Sequence, residues 1–260
     1  MTNQPLHSEI SGPQGAPVIL LLNSFGATGE MWKPQLELLQ AHYRTITFDA
    51  RGHGRSPTPP APYSFADLVA DAIGVLDHHG VEKAHVMGLS MGGMTALGMG
   101  IHAPDRVEKI ICCAARADAP PPFVQNWVDR LAVLESDGVE GVWNGTVDKW
   151  LSDDTRSTHP DREQALRDGF LSTSDEGYRG GAAALKGLDY LKDLDKITCP
   201  TLFIAGENDV AAAPDTMRAM AAACPGSEFT QVAGARHVLN FDRPDGFYLS
   251  IASFLKLDVE

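Results

Sequence analysis

Apolar runs alternate with helical patterns along most of the chain, and this alternation constrains the fold more than any other feature. VILLLNS (18–24), RTITFDA (44–50), AHVMGLS (84–90), VEKIICCAA (107–115), CPTLFIAGEND (199–209) and SEFTQVAG (227–234) read as strands. Several are apolar at nearly every position, which indicates burial on both faces, as in a parallel sheet. Between them, MWKPQLELLQAH, SFADLVADAIGVLDHHG, MGGMTALGMGIHA and DTMRAMAAAC carry helical spacing. In the second of these, Phe65, Leu68, Ala72, Val75 and Leu76 share one face. The pattern predicts an α/β fold: a mostly parallel sheet flanked by helices and joined by right-handed crossovers.

The alternation stops between about 117 and 190. Three consecutive prolines, Pro120 to Pro122, open this region and break any strand. Helical stripes follow: Phe123, Trp127, Leu131 and Leu134, then Val139, Trp143, Val147 and Trp150. Thr173, with Glu176 three residues on, resembles a capping box for the next helix. We expect a helical cap over residues 117–190, inserted into a core formed by 1–116 and 191–260. Trp127, Trp143 and Trp150 fall inside it. They either glue the cap to the core or line an apolar pocket beneath it.

A formal net charge of −13 disfavours nucleic acid and anionic membranes as partners. An anionic substrate would need a local cation against that field. No apolar run approaches the roughly 18 residues of a membrane span. The start lacks the basic and apolar regions of a secretory signal. Cys112, Cys113, Cys199 and Cys224 form no C-x-x-C pair and read as small buried hydrophobes. The expected setting is the cytoplasm, with homo-oligomerisation left open.

The chemistry is carried by GLSMGG, residues 88–93. A chain that leaves a strand and enters a helix through one residue forces that residue into a strained conformation. Its neighbours two positions away must be small because strand and helix approach closely there. Such a turn lifts the Ser90 hydroxyl clear of the backbone and turns helix N–H groups toward the same space, as a nucleophile requires. A serine needs a base, and His237 lies in the loop after the last strand, at the carboxyl edge of the sheet. Asp209, just past a strand end, is the expected orienting acid, with Glu207 and Asp118 as alternatives. For an oxyanion, the N–H groups of Met91 and Phe25 are the expected donors. The stretch FDARGHGRS, with Asp49, Arg51 and His53, invites a metal or phosphate reading, but it has neither a second ligand cluster nor a G-x-x-x-x-G-K-[ST] pattern. A buried turn tied by hydrogen bonds is the better reading. No metal or cofactor is expected.

NSFG…MWKPQ, FDARGHGRS, GLSMGG, AGEND and GARH together resemble the α/β-hydrolase superfamily. More narrowly, they resemble the 3-oxoadipate enol-lactonases of aromatic catabolism. Most of the superfamily carries His-Gly where this chain has Asn23-Ser24, whereas enol-lactonases carry Asn-Ser followed by an apolar residue and glycine. The resemblance is strongest over 18–116. After the fourth strand this chain reads CCAAR where such lactonases read like NTAAR, and residues 120–180 match poorly. The resemblance implies an α/β-hydrolase fold with a helical cap. It also implies Ser90, Asp209 and His237 as triad, with Phe25 and Met91 as oxyanion hole. The expected substrate is a small carboxylic ester or lactone, most specifically the enol lactone. Its carboxylate would need a cation, for which Arg116, Arg130 and Arg179 are the candidates. A broad carboxylesterase or perhydrolase, a C–C bond hydrolase and a non-catalytic ligand-binding protein of the same fold remain as alternatives.

Overall fold

The computed structural model describes residues 4–257. Seven strands form one sheet: β1 (Ser8–Ser11), β2 (Val18–Leu22), β3 (Arg44–Phe48), β4 (Ala84–Leu89), β5 (Val107–Cys113), β6 (Thr201–Gly206) and β7 (Glu228–Val232). Their order is β1-β3-β2-β4-β5-β6-β7. Only β1 runs antiparallel, pairing Ser8 with Phe48 and Ser11 with Thr45. Each of the six expected strands is present. β1 has no counterpart among the strands expected from the sequence. Its four residues, SEIS, are at most half-buried, and a short polar edge strand leaves no apolar run to find.

Helices α1 (Lys33–Gln40), α2 (Phe65–His78) and α3 (Met91–His102) follow β2, β3 and β4. Ser64 caps α2 through a full capping box with Asp67, and the apolar stripe read from the sequence is its buried face. Helix α3 is buried along almost its whole length because it lies against the middle of the sheet.

After β5 the chain makes five helices: α4 (Pro121–Asn144), α5 (Val147–Trp150), α6 (Asp153–Thr158), α7 (Pro160–Leu171) and α8 (Asp175–Lys186). The chain then returns through β6, α9 (Pro214–Ala223) and β7 to α10 (Leu239–Asp242) and α11 (Pro244–Leu255). Gly138, at φ 67° and ψ −171°, interrupts α4. The break separates the two apolar stripes of the sequence, which is why they share no single phase. The expected cap of α8 shifts by one residue. Ser174, not Thr173, is the N-cap, and its hydroxyl accepts the Gly177 N–H at 3.0 Å. Thr173 is buried with an unpartnered hydroxyl, and Glu176 accepts the Ala61 N–H at 2.7 Å instead.

Candidate active site

Ser90 joins β4 to α3 at φ 55° and ψ −117°. A non-glycine residue pays steric energy for such a backbone, and it persists because its surroundings over-determine it. Its N–H donates to the Cys113 carbonyl at 2.8 Å, and its carbonyl accepts the Met94 N–H at 2.9 Å. The two glycines of the motif are required by close approach. A Cβ on Gly88 would collide with the Gly92 carbonyl, and one on Gly92 with the Leu22 carbonyl. β2, β4 and α3 therefore meet backbone to backbone at this point.

His237 follows β7 and Asp209 follows β6. The His237 Nδ1 lies 2.8 Å from Asp209 Oδ2, with both side chains buried. An ionised carboxylate only accepts, so Nδ1 carries the proton and Nε2 is left as the basic nitrogen. The second carboxylate oxygen accepts the N–H groups of Ala211 (2.7 Å) and Ala212 (3.1 Å). Burial raises the Asp209 pKa, but His237 and the two N–H groups outweigh it and hold the carboxyl below its ordinary value. Neither alternative acid occupies this position: Glu207 accepts the Gly234 N–H, and Asp118 pairs with Arg116.

The loop after β2 is held from several sides. Asn23 donates to the Phe48 carbonyl at 2.5 Å and accepts the Trp32 indole N–H at 3.1 Å. The Ser24 N–H meets Met31 Sδ at 3.2 Å, and the Gly26 N–H donates to His53 Nε2 at 3.0 Å. Between them the Phe25 N–H makes no hydrogen bond among the described residues. Met91, as the first residue of α3, likewise keeps an N–H without an intrahelical partner.

In the sequence His53 reads only as part of a buried turn. It also supports this loop. Nδ1 faces the Arg51 carbonyl at 3.0 Å, so it carries the proton and leaves Nε2 to accept from Gly26. Burial pushes its pKa down, against smaller opposing effects of the Arg51 carbonyl and Asp49, and keeps it neutral. Asp49 accepts the Gly29 and Arg55 N–H groups, and Arg51 forms a two-pronged pair with Asp71 at 2.6 and 2.8 Å. The glycine-rich stretch is thus a hydrogen-bonded turn.

Ser90, His237, Ser24 and Phe25 open onto one cavity of about 490 Å³. Trp127 and Trp150 line it, as do Arg116 and Arg130. Trp143 takes the other role foreseen for these tryptophans: buried outside the cavity wall, it packs edge-on against Trp150 at 5.8 Å and beside Phe170 at 5.4 Å. Arg179 also lies outside the wall and pairs with Glu135. Lys149 and Thr146 belong to the wall without having been singled out in the sequence. Lys149 adjoins Trp150, but a lone exposed lysine gives no signal of its own.

A parallel sheet of this order, with a strained serine turn and a His–Asp pair at its carboxyl edge, defines the α/β-hydrolase class. The family model for the alpha/beta hydrolase fold matches residues 17–244, and the chain belongs to that family. It is 32% identical to 3-oxoadipate enol-lactonase 1 of Acinetobacter baylyi, over 96% of this chain and 93% of that one. Among solved structures it is similar to the enol-lactonase from Burkholderia xenovorans LB400 (TM-score 0.92, 32% identity, 96% of each chain). It is also similar to a thermophilic esterase from Thermogutta terrifontis, solved with malate bound (TM-score 0.89, 29% identity, 96% of this chain and 93% of that one). These relatives make the chain an ester or lactone hydrolase. Among the described residues no helix is long and apolar enough to cross a membrane.

Proposed function

We propose that the chain is a serine hydrolase that opens a small enol lactone, most specifically 3-oxoadipate enol-lactone, using Ser90, His237 and Asp209. One observation carries this reading. The strained Ser90 turn and the His237–Asp209 pair face the same cavity. Ser90 Oγ bonds to the lactone carbonyl carbon as its proton passes to His237 Nε2. Asp209 holds the imidazole tautomer and stabilises its charged form. The oxyanion rests on the N–H groups of Phe25 and Met91. The ring C–O bond breaks, and His237 returns the proton to the departing enol oxygen. The enol becomes a ketone, which makes ring opening strongly downhill. Water, its proton taken by His237, then attacks the acyl carbon, and Ser90 leaves reprotonated. The sum is lactone plus water to keto acid, with no cofactor. The reading places the enzyme in the cytoplasm, downstream of aromatic-ring cleavage.

The test is kcat/KM on 3-oxoadipate enol-lactone beside short p-nitrophenyl esters, with Ser90→Ala as blank. A lactone preference of about 10³ or more supports the narrow substrate. Ester turnover without lactone turnover discards that substrate and keeps the serine chemistry. A cavity of about 490 Å³ is roomier than one small lactone ring fills, which favours a broader carboxylesterase as the second reading.

A further inference from the structure

The chain carries a formal net charge of −13, yet the cavity wall contains Arg116, Arg130 and Lys149 and neither aspartate nor glutamate. The three cations differ in what compensates them. Arg116 is neutralised by Asp118, 3.1 Å away. Lys149 is exposed. Arg130 is half-buried, and its two hydrogen-bond partners are both neutral: Nε donates to the Tyr178 hydroxyl at 2.9 Å and Nη2 to Thr146 Oγ1 at 2.6 Å. Thr146 spends its own proton on the Val142 carbonyl, and burial keeps the Tyr178 phenol protonated. The guanidinium also lies over the Trp127 ring, 5.1 Å from its centroid. These contacts fix the position of the charge without cancelling it. Guanidinium has five N–H donors, so most of its donating capacity is left over on an apolar wall, and no carboxylate pairs with it among the described residues.

We propose that Arg130 is the anion subsite of this cavity and selects substrates that carry a carboxylate away from the reacting carbonyl. This rests on the cavity being the hydrolytic site. Tyr178 and Thr146 act as fixed struts that present the guanidinium, and the ligand supplies the missing counter-charge. Two-pronged pairing of arginine with carboxylate is strongest where water is thinned, as on such a wall.

The test compares one enol-lactone ring bearing either a carboxymethyl or a methyl group, on wild type, Arg130→Gln and Arg130→Lys. Wild type should favour the carboxymethyl lactone by about 10–100-fold in kcat/KM. Arg130→Gln should bring that ratio to within about threefold of unity, and Arg130→Lys should keep part of it. A purely structural Arg130 would depress both lactones alike and leave the ratio where it was. Equal rates in wild type, or an unchanged ratio in Arg130→Gln, overturn the proposal and leave the hydrolytic reading standing. Turnover of neither lactone defeats the enol-lactonase reading instead, and the subsite is then judged by calorimetry with adipate and its neutral diamide. Adipate binding that weakens by about tenfold or more in Arg130→Gln supports it. Failure of adipate to bind, or equal binding of the diamide, overturns it.

Discussion

The sheet half of the molecule and the helical insertion hold their site residues by different means. In the sheet half, backbone does the positioning. Ser90 is locked between strand and helix by its own N–H and carbonyl, and Phe25 sits in a loop whose neighbouring N–H groups are each engaged. In the insertion, side chains do it. Arg130 is presented by Tyr178 and Thr146, and Trp150 by packing on Trp143 and Phe170. The two regimes meet at the His237 loop. The His237 N–H donates to the Lys149 carbonyl at 3.2 Å, and that of Val238 to Trp150 at 3.1 Å. Beside them, buried Asp242 accepts the Ser152 N–H and hydroxyl with one oxygen and the Arg236 N–H with the other. Backbone positioning tolerates little substitution and serves chemistry common to many substrates. Side-chain positioning can change residue by residue, and in the proposed function it serves selection among them.

The contrast can be broken at either end. The largest effect is expected in the sheet half. Ser90→Ala should lower kcat by at least about 10⁴ with the fold intact, as read by steady-state kinetics and circular dichroism. Asp209→Asn should lower kcat by about 10³–10⁴, because an amide no longer dictates the imidazole tautomer. At the junction, Asp242→Ala leaves the buried Ser152 N–H and the half-buried Arg236 N–H without their acceptor, while the Ser152 hydroxyl keeps Thr155 Oγ1 within reach. It should cost about 2–4 kcal/mol in denaturant unfolding and reduce kcat as His237 loses its support. If it moved stability alone, the junction would be structural only.

A smaller effect is expected behind the Phe25 loop. His53→Ala should lower kcat by about tenfold, below the cost of removing an oxyanion donor outright, because on the proposed function it loosens the loop that carries the Phe25 N–H and not that N–H itself. The same residue has a pH signature. Its folded pKa lies below the unfolded value of about 6.5, so its contribution to stability is full above that value and is lost as pH falls toward the folded pKa. Unfolding free energies measured from pH 7.5 down to 5 should slope more steeply in wild type than in His53→Ala.

The same division explains what could be read from sequence. Strands buried along most of their length leave apolar runs, so β2 to β6 were legible, whereas the half-exposed β1 was not; β7, itself a partly exposed edge strand, was legible from its aromatic and β-branched residues. Ser90, Asp209 and His237 were legible as candidates because each stands at a strand end, where a break in pattern marks the carboxyl edge. Asp209 was already the expected acid because it stands just past the strand end; in the structure both it and Glu207 follow β6, and Asp209 is the one beside His237 while Glu207 turns to the Gly234 N–H. His53 could be assigned to a buried turn, but its bond to Gly26 spans two loops and has no local signature. The arginines of the cavity could be named and not ranked. Arg116 and Arg130 differ by the acid beside one and the hydroxyls beside the other, and those partners come from packing.

The most direct measurement is labelling of the intact protein with a fluorophosphonate probe, followed by mass spectrometry of its peptides. One adduct on Ser90, lost in Ser90→Ala and formed far more slowly in Asp209→Asn, is the expected result. An unlabelled wild-type protein, or an adduct on another residue with Ser90 free, would contradict the assignment of Ser90 as an activated nucleophile.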